Sequence, residues 1–290
     1  MKKHLSTIFL VVLLLAGVSL LLYPTVSDYW NTLHATAAVT SYAQQVRELD
    51  NEKYEQMLQQ AQEYNRGLLK RENPFLLGPQ EREAYPSLLN LDGTGIMGYI
   101  EIPAIDVSLP IYHGTTPATL EKGAGHLEGS ALPVGGAGTH CVISAHRGLP
   151  SAAMFTDLDQ LALGDHFYIY VLDRVLAYEV DQILTVAPDE LSALDREPDM
   201  DYTTLVTCTP YGVNTHRLLV RGHRVDYVPQ TAADEGNSVV HSVHTNYVLW
   251  TVVGLLTTAA FIALYVSISR RDSRSARRPR ARRGKYQARH

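Results

Sequence analysis

Two cysteines occur in the 290 residues, Cys141 and Cys208, and the second lies in TCTPYGVNTHR, residues 207–217. A thiol between two threonines, just ahead of Pro210 and Gly212, reads as the end of a strand entering a turn, where side chains meet solvent and ligands. Arg217 follows nine positions later, and His146 in SAHRGLP ends another apolar run ahead of Gly148 and Pro150. Thiol, imidazole and guanidinium together are the parts of nucleophilic acyl transfer. A thiolate attacks, an imidazole moves protons, and a permanently charged fork of donors holds a carbonyl or its oxyanion. On the residues alone three readings of Cys208 stay open: a structural thiol, half of a disulfide with Cys141, or the nucleophile. Cys141, inside the apolar THCVISA, reads as a small buried thiol. His146 and Arg217 each have a plain alternative, a satisfied framework imidazole and a solvated strand charge.

The segments around these residues are strand-like. GYIEIPAIDVSLPIYHG from Gly98 reads as strand pieces bent at Pro103 and Pro110. THCVISAH is a short buried strand, and DHFYIYVLDRVLAYEVDQILTV divides at Asp173-Arg174 into a hairpin. TTLVTCTP and RLLVRGHRVDYV complete the set, with a helical period in MFTDLDQLALG between them. Many short strands and few helices point to a closed barrel or sandwich rather than a parallel α/β sheet. Upstream, residues 34–72 read as helix from apolar residues at three- and four-residue steps. Asn73-Pro74-Phe75 stops that helix, because the residue before a proline resists the helical basin. Residues 73–95 then read as loop, rich in Pro and Gly.

The ends of the chain differ from this middle. Leu5 to Tyr23 carries no charge and is long enough to cross a bilayer as a helix, and Tyr247 to Ile268 does the same. Lys2 and Lys3 precede the first span, and ten Lys or Arg residues follow the second, so both termini are expected in the cytoplasm. Residues 25–246 hold 13 Lys and Arg against 29 Asp and Glu, an acidic outer domain hidden behind the whole-chain charge of −5. A cleaved signal peptide is the alternative for the first span, but the small residues at Ala35-Thr36-Ala37 lie a dozen positions beyond it, favouring a retained anchor. The basic tail is read as a topology determinant in contact with membrane lipid rather than a nucleic-acid site. His241 and His244 stand alone beside the second span, and no metal is expected there.

TLVTCTPYGVNTHRLLVRGHR resembles the signature of sortases, membrane-anchored cysteine transpeptidases of Gram-positive bacteria, through Thr204-Leu205-Val206-Thr207-Cys208 and Arg217. GYIEIPAIDVSLPIYHGT, KGAGHLEGSALPVGG, GTHCVISAHRGLPSAAMFTDLDQL and YEVDQI are similar to the class C, pilin-polymerising branch, and the likeness covers roughly residues 40–228.

The resemblance implies a mainly β fold: a closed eight-stranded barrel with short helices, an N-terminal helical extension with a lid, and two flanking transmembrane helices. The expected division is a cytoplasmic start at 1–4, spans at 5–23 and 247–268, and an extension at 24–97 with its lid near 71–80. The catalytic barrel then covers 98–228, a linker 229–246 and a basic cytoplasmic tail 269–290. The resemblance makes Cys208 the nucleophile, His146 the acid–base residue and Arg217 the stabiliser of the oxyanion or substrate carbonyl. His126 and Thr207 are candidate helpers at the groove, His126 more as a structural residue, and neither a metal nor another cofactor is implied. The implied reaction cleaves an LPXTG-like signal between Thr and Gly and passes the acyl group from Cys208 to a lysine of the next pilin subunit. A cell-wall-anchoring sortase using a cross-bridge amine and a non-catalytic pilus scaffold are the rival readings. Class C lids carry an Asp-Pro-aromatic motif over the active site, and the matching position reads Asn73-Pro74-Phe75. Phe75 is expected to cap the apolar pocket beside Cys208. Asn73 in place of the acid removes a charge-assisted contact, so a lid held less tightly is expected.

Overall fold

The computed structural model describes residues 2–71 and 73–228, together with Gly254 and Thr258. The linker, His241, His244, the body of the second apolar segment and the basic tail lie outside the described residues.

Eight strands close into one barrel: β1 (Ile96–Ile102), β2 (Val107–His113), β3 (Ala124–His126), β4 (Thr139–Ser144), β5 (His166–Val171), β6 (Arg174–Val186), β7 (Asp201–Thr209) and β8 (His216–Val225). Their order around the barrel is β1-β2-β3-β4-β7-β8-β6-β5, with β5 pairing back onto β1. Only β2–β3 and β4–β7 run parallel. That second exception matters, because it brings the C-terminal ends of β4 and β7 to one rim, where the antiparallel β8 begins.

The interior follows from the two-residue period of strands. Phe167, Ile169 and Val171 of β5 point inward, as do Ile143 of β4, Leu205 of β7 and Val220 of β8. Phe167 stacks on Tyr178 with ring centroids 5.4 Å apart. In β4 the outward residue Val142 is also buried, under Leu194 and Leu219, with Phe75 and Leu127 packed against that cluster. Burial on both faces is why THCVIS reads as a continuous apolar run.

Helix α1 runs unbroken from Lys2 to Arg47, so the first apolar span and the start of the extension are one helix with Pro24 inside it. The helix expected over 34–72 divides. Asp50 ends the continuity by accepting the Lys53 amide at 2.8 Å on Oδ1, capping α2 (Asn51–Leu69). Tyr42 docks α1: its buried hydroxyl donates to Met97 O at 2.9 Å and accepts from Leu172 N at 2.8 Å. Asn65 docks α2 with a two-way bond to the Leu132 backbone, 2.7 Å from its N–H and 3.1 Å to its carbonyl. In the N-terminal half of α1, Leu13, Leu15, Leu20 and Leu21 are all exposed, and this apolar stretch is long enough to cross a membrane.

Three further expectations need correction. Residues 79–87 are not loop but α3 (Pro79–Ala84) continued by a 3₁₀ turn, Tyr85–Ser87. Pro110 does not bend the chain out of the sheet; it lies within β2 opposite Tyr99, just before the pairing with β3 starts at Ile111. The helix expected in MFTDLDQLALG is a single 3₁₀ turn, Leu158–Gln160. Phe155, Leu158 and Leu161 are all buried, a spacing of three that suits a 3₁₀ turn rather than an α-helix. A further short helix, α4, is one turn at Pro117–Leu120.

Candidate active site

Inward positions of β7 (Leu205, Thr207) alternate with outward ones (Val206, Cys208), so Cys208 lies on the outer face at the strand end. β8 places Arg217 directly opposite Cys208 in the antiparallel register, on the same face. The turn between them is closed by Val213 and Asn214, whose amides both donate to Pro210 O at 3.0 Å. Arg217 is anchored to that turn through Nη1, which donates to Asn214 O at 3.3 Å and His216 O at 3.0 Å. His216 falls on the other side of the strand and its Nδ1 meets Thr215 Oγ1 at 2.9 Å.

His146 arrives by the parallel pairing. The β4–β7 ladder ends with Ser144 opposite Val206, and Ala145 N extends it by donating to Val206 O at 3.1 Å. Thr207 Oγ1 adds a bond to Ala145 O at 2.9 Å. Two residues past the ladder on each strand, His146 and Cys208 are therefore level at one rim. Both are partly exposed, whereas Cys141 is buried in the barrel core. Burial, reinforced by the Asp201 charge, pushes the Cys141 thiol far above the ordinary range, so it stays protonated and inert. Both cysteines are free. Cys141 pairs with Thr203, five residues before Cys208, a separation of about 16 Å along a strand and too far for a bridge.

His126 is fully buried among partners. Its Nε2–H donates to Ala131 O at 2.8 Å, and its Nδ1 accepts from the Tyr85 hydroxyl at 2.7 Å. Burial lowers it to about 4, so it is a neutral imidazole holding Tyr85 and the turn after β3 in place. Thr207 faces inward and joins β4 to β7. Both serve the framework around the rim rather than its open face.

The segment 73–75 lies on the same outer face as Cys208. Phe75 packs against the cluster of Val142, Leu194 and Leu219, as does Val206, which is two residues from Cys208. Asn73 Oδ1 accepts from Phe75 N at 3.1 Å, closing its own turn. Gly129 explains how closely this segment approaches. Its φ is +92°, and a Cβ there would stand 2.7 Å from Phe75 Cα. The base of the segment is tied down by the Arg71–Glu81 ion pair and by Arg196 Nη2, which donates to Arg71 O at 3.2 Å.

Two organising side chains carry no local signal in the sequence. His140 on β4 bonds Thr204 Oγ1 at 2.7 Å and Asp195 O at 2.9 Å, fixing the 187–200 segment against β7. Arg147 reaches from the end of β4 to the end of β7. Among the described residues no group of acidic, His and Cys side chains is arranged to hold a metal ion.

A sortase-domain family model matches residues 100–225, the span of the barrel. The crystal structure of sortase C1 from Streptococcus agalactiae is 49% identical, with TM-score 0.65, over 66% of this chain and 100% of that one. The chain belongs to the sortase family. Sortases are cysteine transpeptidases, and the sortase C of Streptococcus pneumoniae, 45% identical with TM-score 0.60 over 67% of this chain and 100% of that chain, also aligns it with class C. The sortase A of Streptococcus agalactiae is 29% identical over 143 residues, 48% of this sortase, which spans 57% of that relative's length.

Proposed function

We propose that this class C sortase is a pilin polymerase whose nucleophile is Cys208, with His146 as acid–base residue and Arg217 as oxyanion stabiliser. The observation that carries the assignment is the Cys208–Arg217 pairing with His146 level at the same rim. Support for pilin as substrate comes from the sortase C relatives, one of which is described for its pilin substrate specificity.

In the first half-reaction the Cys208 thiolate attacks the Thr carbonyl carbon of an LPXTG-like signal, forming the C–S bond. The Thr–Gly C–N bond breaks as His146 gives its proton to the departing glycine amine. Arg217 faces the carbonyl oxygen as it becomes negative, where a fixed donor acts most strongly. In the second, a pilin lysine amine attacks the thioester, His146 takes its proton, and an isopeptide bond forms as Cys208 leaves as thiolate. In this proposal the apolar cluster of Val142, Leu194 and Leu219, with Phe75 and Leu127 packed against it, limits water on the face that carries Cys208 and favours aminolysis over hydrolysis.

The wider arrangement belongs to the same proposal. Residues 5–23 within α1 and residues 247–268 span the membrane with both termini inside, and the acidic residues 25–246 face outward, 98–228 as catalytic barrel and 71–80 as lid. The full-length enzyme in detergent, given an LPXTG-type peptide, should form a thioester that Cys208→Ala abolishes. Pilin carrying its acceptor lysine should then be taken in preference to a cross-bridge peptide amine; the reverse preference makes the enzyme a cell-wall-anchoring sortase. A protein that forms no thioester at all is the scaffold.

A further inference from the structure

Arg147 follows His146 in the chain, yet its side chain is only 8% exposed. A guanidinium held that far from water must have its donors used. Nε donates to Thr156 O at 3.0 Å, Nη1 to Thr209 Oγ1 at 3.2 Å and Nη2 to Asp159 Oδ2 at 2.5 Å. Thr209 directly follows Cys208. One hydrogen bond therefore joins the neighbour of the imidazole to the neighbour of the thiol. It lies one step beyond the contacts of Ala145 with Val206 and Thr207, the outermost tie between the ends of β4 and β7.

The turn that carries His146 closes on the same group. Phe155 N donates to His146 O at 3.1 Å and Gly148 N to Thr156 Oγ1 at 3.1 Å, so Arg147 fills a ring of chain running from 146 to 156. The Tyr211 ring of the β7–β8 turn lies over Gly148, where a Cβ would stand 3.0 Å from it. Asp159 offsets the charge of Arg147, leaving its effect geometric.

Resting on the reading of Cys208 and His146 as the reacting pair, we propose that Arg147 is a positioning residue that sets the separation and orientation of His146 relative to Cys208 without touching substrate. Three acceptors in three directions require a planar fork; a lysine offers one nitrogen and reaches at most part of the set.

Full-length enzyme in detergent is assayed for kcat and KM of thioester formation with an LPXTG-type peptide, normalised to thiol titrated in the folded state. Arg147→Met should lower kcat about 10- to 100-fold with KM within about two-fold, the mark of lost alignment rather than lost binding. Arg147→Lys should not restore it. Thr209→Val should lower kcat in the same sense but less, and the double variant should match Arg147→Met alone, because the hydroxyl acts only through the guanidinium. A mere staple would lower Tm while leaving kcat per titrated thiol unchanged, and that result overturns the proposal. Should Arg147→Met fail to fold, Thr209→Val decides, since it keeps the Asp159 pair; wild-type kcat there also overturns it. Thioester formation persisting in Cys208→Ala removes the underlying reading, whereas a dead Cys208→Ala beside kcat-neutral Arg147 and Thr209 variants removes this inference alone.

Discussion

Cys208 and Arg217 face each other across the β7–β8 ladder, one residue before β7 ends and one residue after β8 begins. Directly opposed side chains on one face have Cβ atoms about 4.5–5.5 Å apart, so the thiol and the guanidinium open onto one mouth. The relationship belongs to the backbone register. Position 217 can therefore be altered without disturbing the strands that carry it.

Replacing Arg217 separates charge from geometry. Arg217→Ala should lower the single-turnover rate of thioester formation by about 10²–10³-fold, the usual loss when one oxyanion donor is removed. Arg217→Lys keeps a cation but not the fork and should fall between the two. Rapid-quench measurement at saturating peptide reads this directly; equal rates for Arg217→Lys and wild type would mean that charge alone suffices.

Phe75 is held by packing against Val142, Leu194 and Leu219, not by a charged latch, since Asn73 closes its own turn. Phe75→Ala should raise turnover of a short LPXTG-type peptide several-fold with only a small change in Tm. Gly129→Ala should also raise turnover, because its Cβ would displace the Phe75 backbone, but with a larger fall in Tm, since Ala is strained at φ +92°. Unchanged turnover in both variants shows that the cover does not limit access.

The rim was legible in the sequence because its parts are local. A strand running into Cys208, a short Pro-Gly turn and a strand starting near Arg217 state their own geometry, and His146 announces itself at the end of an apolar run. Asp50 was equally local, but the helical period on both sides of it hides a one-residue cap. What lies deeper depends on partners far away in the chain. Nothing near Arg147 indicates that its acceptor is Thr209, and nothing near Val142 shows that Leu194 and Phe75 will bury it. The continuity of α1 through Pro24 was hidden for a different reason: a proline ordinarily removes a helical bond and ends the run.

His126 gives the fold a pH dependence of definite sign. Burial lowers it to about 4 from the ordinary value near 6.5, so the folded chain resists protonation that the unfolded chain accepts. Its contribution is fully present above pH 6.5, is lost progressively as pH falls towards 4, and reaches a limit of about 3 kcal/mol below that. His126→Gln should destabilise the protein at pH 7 by removing bonds to Tyr85 and Ala131, yet flatten the fall in stability between pH 6.5 and 4.5. Urea unfolding of both proteins at three pH values measures the difference in slope. Parallel slopes would assign the acid sensitivity to other groups.

The part of α1 that follows its apolar stretch touches the loop that follows His146. Ala153 N donates to Asp28 Oδ1 at 2.7 Å, and Asn31 Nδ2 donates to Ser151 O at 2.7 Å. Both bonds are made to backbone groups, so they restrain the path of residues 151–153 whatever their side chains. This loop is otherwise held near the rim by the 146–156 closure, and α1 supplies its outer support. Removing that support in Asp28→Ala/Asn31→Ala should speed amide exchange in 149–154 while leaving β5 and β6 unchanged. Global stability should shift by no more than about 1–2 kcal/mol, the scale of two partly exposed hydrogen bonds. The turnover of an LPXTG-type peptide should fall only a few-fold, because Arg147 still holds the inner side of the loop. Hydrogen-exchange mass spectrometry on the full-length chain checks the first expectation. If exchange in 149–154 matches wild type, α1 does not support the loop, and the enzyme should work equally well when its first 34 residues are removed.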